Sequence, residues 1–106
     1  MPVTQVVIYQ KPGGSFSSGL EAYQNKNSLY STELNAAIDQ CQTQMLADKI
    51  LLEPPAFSWD QATEKLTVQR VISGVEEFLA ARTFSTADVE ASAAEAGWQL
   101  VSVEFS

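Results

Sequence analysis

Few residues of this chain can do chemistry, and none is a histidine. Arg70 and Arg82 are the only arginines. An arginine keeps its charge when half-buried and grips a carboxylate or phosphate with a planar fork of donors. Arg82, placed in a strand inside the sheet, is a candidate to hold an anionic ligand; it can equally reach a surface acid. Arg70 is expected to pair with Glu77. Tyr9, Trp59, Phe78 and Trp98 are candidates to line a small-molecule cavity between sheet and helices. Each has core packing or a subunit interface as its plainer use. Arg82, Trp98 and Tyr9 are thus the expected ligand-binding residues, and no residue is assigned a catalytic role.

Other chemistry meets obstacles. Cys41 is the single cysteine, so it forms no internal disulfide and, without histidine, has no base to activate it and no zinc site to join. It lies on an apolar stripe and reads as a buried helix residue. The carboxylate pairs Glu76/Glu77, Asp60/Glu64 and Asp88/Glu90 are each explained by a turn, a cross-strand pair or a helix start. The stretch Pro12–Gly19 is glycine-rich and follows a strand, yet no Gly-Lys-Ser/Thr closes it and no GxGxxG occurs, which argues against a phosphate cradle. It reads instead as part of a flexible loop at 11–30, with Phe16 and Tyr23 as anchors for a partner. No metal or cofactor is expected.

The composition narrows the partners. Thirteen acidic residues against six basic ones leave a net charge of −7. The basic residues are scattered, so the stripe that displaces counterions from nucleic acid is absent. No apolar run approaches the length of a membrane span. The N-terminus lacks a basic region followed by an apolar stretch, which predicts a cytoplasmic location. At 106 residues the chain is expected to be a single α+β domain.

The elements that position these residues follow from periodicity. Val3–Tyr9 is apolar on both sides and reads as a central strand. Ser31 caps a helix whose residues Leu34, Ala37, Ile38, Cys41 and Met45 share one stripe. Ile50–Leu52 is a short apolar run, stopped by Pro54 and Pro55. Phe57 to Trp59 can pair with Leu66 to Val68 as a hairpin. Lys65–Ile72 alternates as a strand. After it two readings compete. Ser73 can cap a helix with Glu76 as partner, or Ser73 and Gly74 can form a two-residue hairpin turn. The hairpin is preferred: it sets Arg70 opposite Glu77 and Val68 opposite Leu79, an apolar side with one charge pair. Ser85 then caps an alanine-rich helix ended by Gly97, and Trp98–Phe105 is the last strand.

The order β, α, β, β, α, β is that of the ferredoxin-like split βαβ motif, an antiparallel sheet with two helices on one face. Val3–Tyr9 and Val75–Phe84 would be central, Lys65–Ile72 and the last strand outside them, and 50–59 an addition. This order, with the phrase Arg82–Ser85 leading from strand to helix, resembles the small dimeric α+β barrel proteins. The resemblance implies two protomers packed sheet to sheet; members include cofactor-free monooxygenases, heme-degrading enzymes and proteins of no known activity. Cavity histidines are frequent in those enzymes, and their absence here argues against a heme-binding role. Apolar residues left on the second sheet face point to a homodimer. Two functions are carried forward: a non-enzymatic assembly or interaction module acting as a homodimer, and a cofactor-independent enzyme or small-ligand-binding protein. An enclosed pocket holding Arg82 or a buried carboxylate favours the second; a filled core with a large flat contact surface favours the first.

Overall fold

Alternation of large and small, apolar and polar side chains at a period of two organises the sheet. In the computed structural model, which describes residues 2–106, strand β1 (Val3–Gln10) buries Gln5, Val7 and Tyr9 on one face and leaves Thr4, Val6, Ile8 and Gln10 half-buried on the other. It is followed by α1 (Gly19–Asn27), α2 (Thr32–Ala47), β2 (Ala56–Asp60), β3 (Lys65–Ile72), α3 (Val75–Ala81), α4 (Thr86–Glu95) and β4 (Gln99–Phe105). The strands form one antiparallel sheet in the order β2-β3-β1-β4. The described residues are thus mixed α+β, with four helices rather than the two expected. Their buried side chains, Ala22, Cys41, Phe78 and Ala93 among them, pack with Val7, Tyr9, Leu66, Val68 and Ile72 of the inner sheet face. No helix among the described residues is long and apolar enough to cross a membrane.

The hairpin at Ser73 and Gly74 does not form. Gly74, not Ser73, precedes a helix as its extended N-cap, with the Phe78 amide bonded to the Gly74 carbonyl at 3.1 Å. Of the seven α3 residues only Val75 is β-branched, and Glu76 and Glu77 lie in the first turn, where the helix dipole favours negative charge. Helical preference and charge placement therefore outweigh the apolar pairing. Val75–Phe84 is not in the sheet, and Arg82 follows a helix instead of lying in a strand. Arg70 bonds Gln5, not Glu77.

Four strands survive because the segment read as an addition supplies one. Phe57 faces Val68, Ser58 faces Thr67 and Trp59 faces Leu66, the hairpin that the alternation of Phe57 and Trp59 suggested. β3 consequently moves to the centre beside β1, where Val7 pairs with Val68 and Tyr9 with Leu66. β2 and β4 are the edges. The run Ile50–Leu52 contributes one isolated bridge, Leu51 to Ile72.

Helix boundaries follow their caps. The Ser31 hydroxyl accepts from the Leu34 amide at 3.0 Å, and α2 buries Ile38, Cys41 and Met45. The Ser85 hydroxyl accepts from the Asp88 amide at 3.3 Å. Beyond α4, Gly97 takes φ +88°, the left-handed position where a side chain is strained.

The stretch 11–30, read as a loop, contains α1. The Gly13 amide donates to the Glu64 carboxylate and the Phe16 amide to the Gln61 side chain, whose own amide reaches the Gly14 carbonyl. α1 approaches the sheet edge through Gly19, where an added Cβ would lie 2.3 Å from the Phe57 carbonyl carbon. Backbone cannot yield there as a flexible side chain would. Gly19→Ala is expected to lower unfolding free energy by about 1–3 kcal/mol, the usual range for overpacking, as read by urea denaturation. An unchanged midpoint would contradict this close approach.

Candidate functional site

Helix α1 carries Tyr23 and Lys26 three residues apart, and Tyr30 follows four residues later. At helical spacing these side chains share one side, and that side meets the inner face of β1. The result is the burial of a lysine: Lys26 is only 3% exposed. Its Nζ donates a hydrogen bond to the Tyr30 hydroxyl and lies 4.4 Å from the ring centroid of Tyr9, 5.0 Å from that of Tyr30 and 6.0 Å from that of Tyr23. These are all three tyrosines of the chain. Ring faces attract a cation and offset part of the loss of water.

Lys26 and the tyrosines form one wall of a cavity of about 160 Å³ between the sheet and the helices. A cavity of about 150 Å³ accepts a molecule the size of benzene. Arg70 enters from β3 and Arg82 from the end of α3; Val7, Val68 and Phe78 supply apolar surface. The space opens towards the edge strand, where Leu100 and Val103 are 44% and 45% exposed.

Charge is concentrated here. Lys26, Arg70 and Arg82, three of the six basic residues, line this cavity, and Glu90 is the only acidic residue lining it. The hydrogen bonds of the three go to neutral groups: Lys26 to Tyr30, Arg70 Nη1 to Gln5 Oε1 at 3.2 Å, and Arg82 Nη1 to the Thr86 hydroxyl. Gln5 is itself 1% exposed on a central strand. Arg82 also stands over the Phe78 ring at 5.1 Å, and its Nε is buried with no hydrogen-bond partner among the described residues. Buried donors without a partner are uncommon, and the Nε1 of Trp98, outside this cavity, is another among the described residues.

The surroundings shift the titrations accordingly. Burial pushes the Lys26 amine down from 10.5 to about 8; the Glu90 carboxylate opposes this and Arg70 reinforces it. Burial likewise holds the Tyr9 and Tyr30 hydroxyls well above their ordinary value, so both stay protonated. Arg82 is lowered, first by burial and then by Arg70. Two arginines and a lysine in one partly enclosed space repel one another, and an anion between them relieves that repulsion.

Of the residues expected to bind a ligand, the cavity brings together Tyr9 and Arg82 and leaves out Trp98. Trp98 is 2% exposed in the core at the other end of the sheet. Phe16 stacks on it at 5.8 Å and Trp59 meets it edge-on at 5.9 Å. Phe16, expected as a loop anchor, is therefore turned into the chain's own core, while Tyr23 stacks on Phe57 at 4.1 Å and lines the cavity. Lys26, Tyr30 and Gln5 escaped the sequence reading, and Arg70 was assigned to Glu77 instead of the cavity. The signal was there in the Tyr23, Lys26, Tyr30 spacing, hidden by the polar residues around it. Cys41 donates to the Ala81 carbonyl at 3.3 Å and is buried. No group of three or more metal-ligating side chains occurs among the described residues.

No family model, curated protein or solved structure matches the chain, so the chemistry of this cavity stands on its own residues.

Proposed function

We propose that this protein binds a small organic anion with a flat or apolar body in the cavity beneath its sheet, as a small-ligand-binding protein or a cofactor-independent enzyme. One observation carries the reading: a chain of net charge −7 places three of its six basic side chains, and all three of its tyrosines, around one space. Arg70 and Arg82 hold the charged end, with the unpaired Arg82 Nε as the first donor offered. The tyrosine rings and Val7, Val68 and Phe78 take the body. Benzoate matches this description in size and charge. It is expected to bind the protein in calorimetric titration, with benzamide at least tenfold weaker. Arg82→Gln should weaken benzoate about tenfold or more, the loss of a hydrogen bond to a charged group. Equal affinity for benzoate and benzamide, or an unaffected Arg82→Gln, would overturn the reading.

Helix pairs α1–α2 and α3–α4 each link strands that lie on either side of one other strand, β3 between β1 and β2, and β1 between β3 and β4. That order supports a ferredoxin-like split βαβ architecture with paired helices in place of single ones.

A second reading, self-association as a homodimer, is favoured by β4. This edge strand exposes Leu100, Val101, Val103 and Phe105 by 38–47% and carries no lysine or proline to block pairing. Light scattering is expected to give twice the chain mass, and Val101→Lys with Val103→Lys to give the chain mass. A monomeric parent protein would remove this reading.

A further inference from the structure

An anion site does not require a lysine that deep. Arginine holds its charge when buried and already supplies two cations here, whereas a lysine amine gives up its proton on burial. What a partly neutral lysine adds is a lone pair on nitrogen. We propose that Lys26 is a nucleophilic amine that condenses with the carbonyl carbon of a small 2-oxo acid held by Arg70 and Arg82. This deepens the anion-binding reading and rests on it.

The geometry supports each part. Lys26 lines the cavity and is 3% exposed, so it borders the ligand space while bulk water has little access to it. Its hydrogen bond goes to a neutral hydroxyl, not to a carboxylate that would hold it charged. The rings of Tyr9, Tyr23 and Tyr30 restrict it on three sides, and the arginines supply charge for the acid group. The lowered titration of Lys26, to about 8, leaves roughly a tenth of it neutral at pH 7.

The reaction balances without a further reagent. The Lys26 nitrogen lone pair forms a bond to the carbonyl carbon, and the carbonyl π electrons move to oxygen. Tyr30 takes a proton from nitrogen as it gives its own to that oxygen. The nitrogen lone pair then expels the new hydroxyl, which takes the second amine proton through Tyr30 and leaves as water, and a carbon–nitrogen double bond remains. Nothing is oxidised or reduced. Placing a desolvated lysine beside a cation is an established way of activating an amine.

Glyoxylate and pyruvate, each with cyanoborohydride at pH 8, test this on the full chain by site-resolved mass spectrometry. Lys26 is expected to be labelled at least tenfold faster than Lys49, an exposed lysine, and Lys26→Arg should show no fast labelling while its circular dichroism is unchanged. Benzoate should slow the labelling of Lys26 alone. Labelling of Lys26 no faster than of Lys49 would overturn the amine chemistry. If benzoate still bound in an Arg82-dependent way, the anion site would survive that result; if it did not, both would fall. Should Lys26→Arg not fold, benzoate protection of Lys26 in the parent protein decides: no protection also overturns the proposal.

Discussion

One ammonium group taken out of water sets the terms for this fold. Moving a charge from water into a protein interior costs several kcal/mol per ion even after relaxation. Lys26 meets that cost with ring faces, one hydroxyl and the more distant Glu90 carboxylate. Its depth is set elsewhere, by Gly19, which lets α1 come against the backbone of β2. The lysine then stands over Tyr9 of the central strand. Because folding lowers its pKa from 10.5 to about 8, the unfolded chain binds more protons between those values. The cost of the buried charge is therefore complete below about pH 8 and is relieved as pH rises, by about 2 kcal/mol between pH 8 and 10. Above pH 10 the protonated Tyr9 and Tyr30 reverse the trend, since the unfolded chain ionises its tyrosines first.

Uneven coverage of the sheet makes the cavity. At the end of the sheet where Trp98 leads into β4, Phe16, Trp59 and Trp98 fill the space between layers with aromatic contacts. Further along β4 the helices leave Leu100 and Val103 exposed, and the gap is lined by the long polar side chains of Gln5, Lys26, Gln42, Arg70, Arg82 and Glu90. Large aromatic residues close one half of the interior, and mutual repulsion among Lys26, Arg70 and Arg82 resists closing the other. The same edge strand that borders the opening is the one whose free backbone groups and apolar side chains suit pairing with another chain.

Much of the frame was legible in the sequence, and its failures have physical causes. Ser31 and Ser85 were readable as caps because a hydroxyl followed by an acid in the first turn has few other uses. The Phe57–Trp59 hairpin with Leu66–Val68 was readable from alternation alone. Val75–Ala81 was misread because Val75, Phe78 and Leu79 fit either period, and so short a segment does not decide between them. Arg82 was read as a half-buried cation in a central strand, whereas it is partly buried at the end of α3. Lys26 was passed over because lysine is almost never fully buried, and its burial arises from tertiary packing: Gly19 on β2, Tyr9 on β1. Neither contact is visible along the chain.

The most direct test of the account is the ionisation of Lys26 itself, followed by NMR of its ε-carbon and ζ-nitrogen across pH 6 to 11. The account gives a midpoint near 8 for this one lysine, moving up when benzoate occupies the cavity and stabilises the charged form. A midpoint near 10.5, unmoved by benzoate, would place the amine in water and contradict the buried cation on which the cavity's chemistry depends.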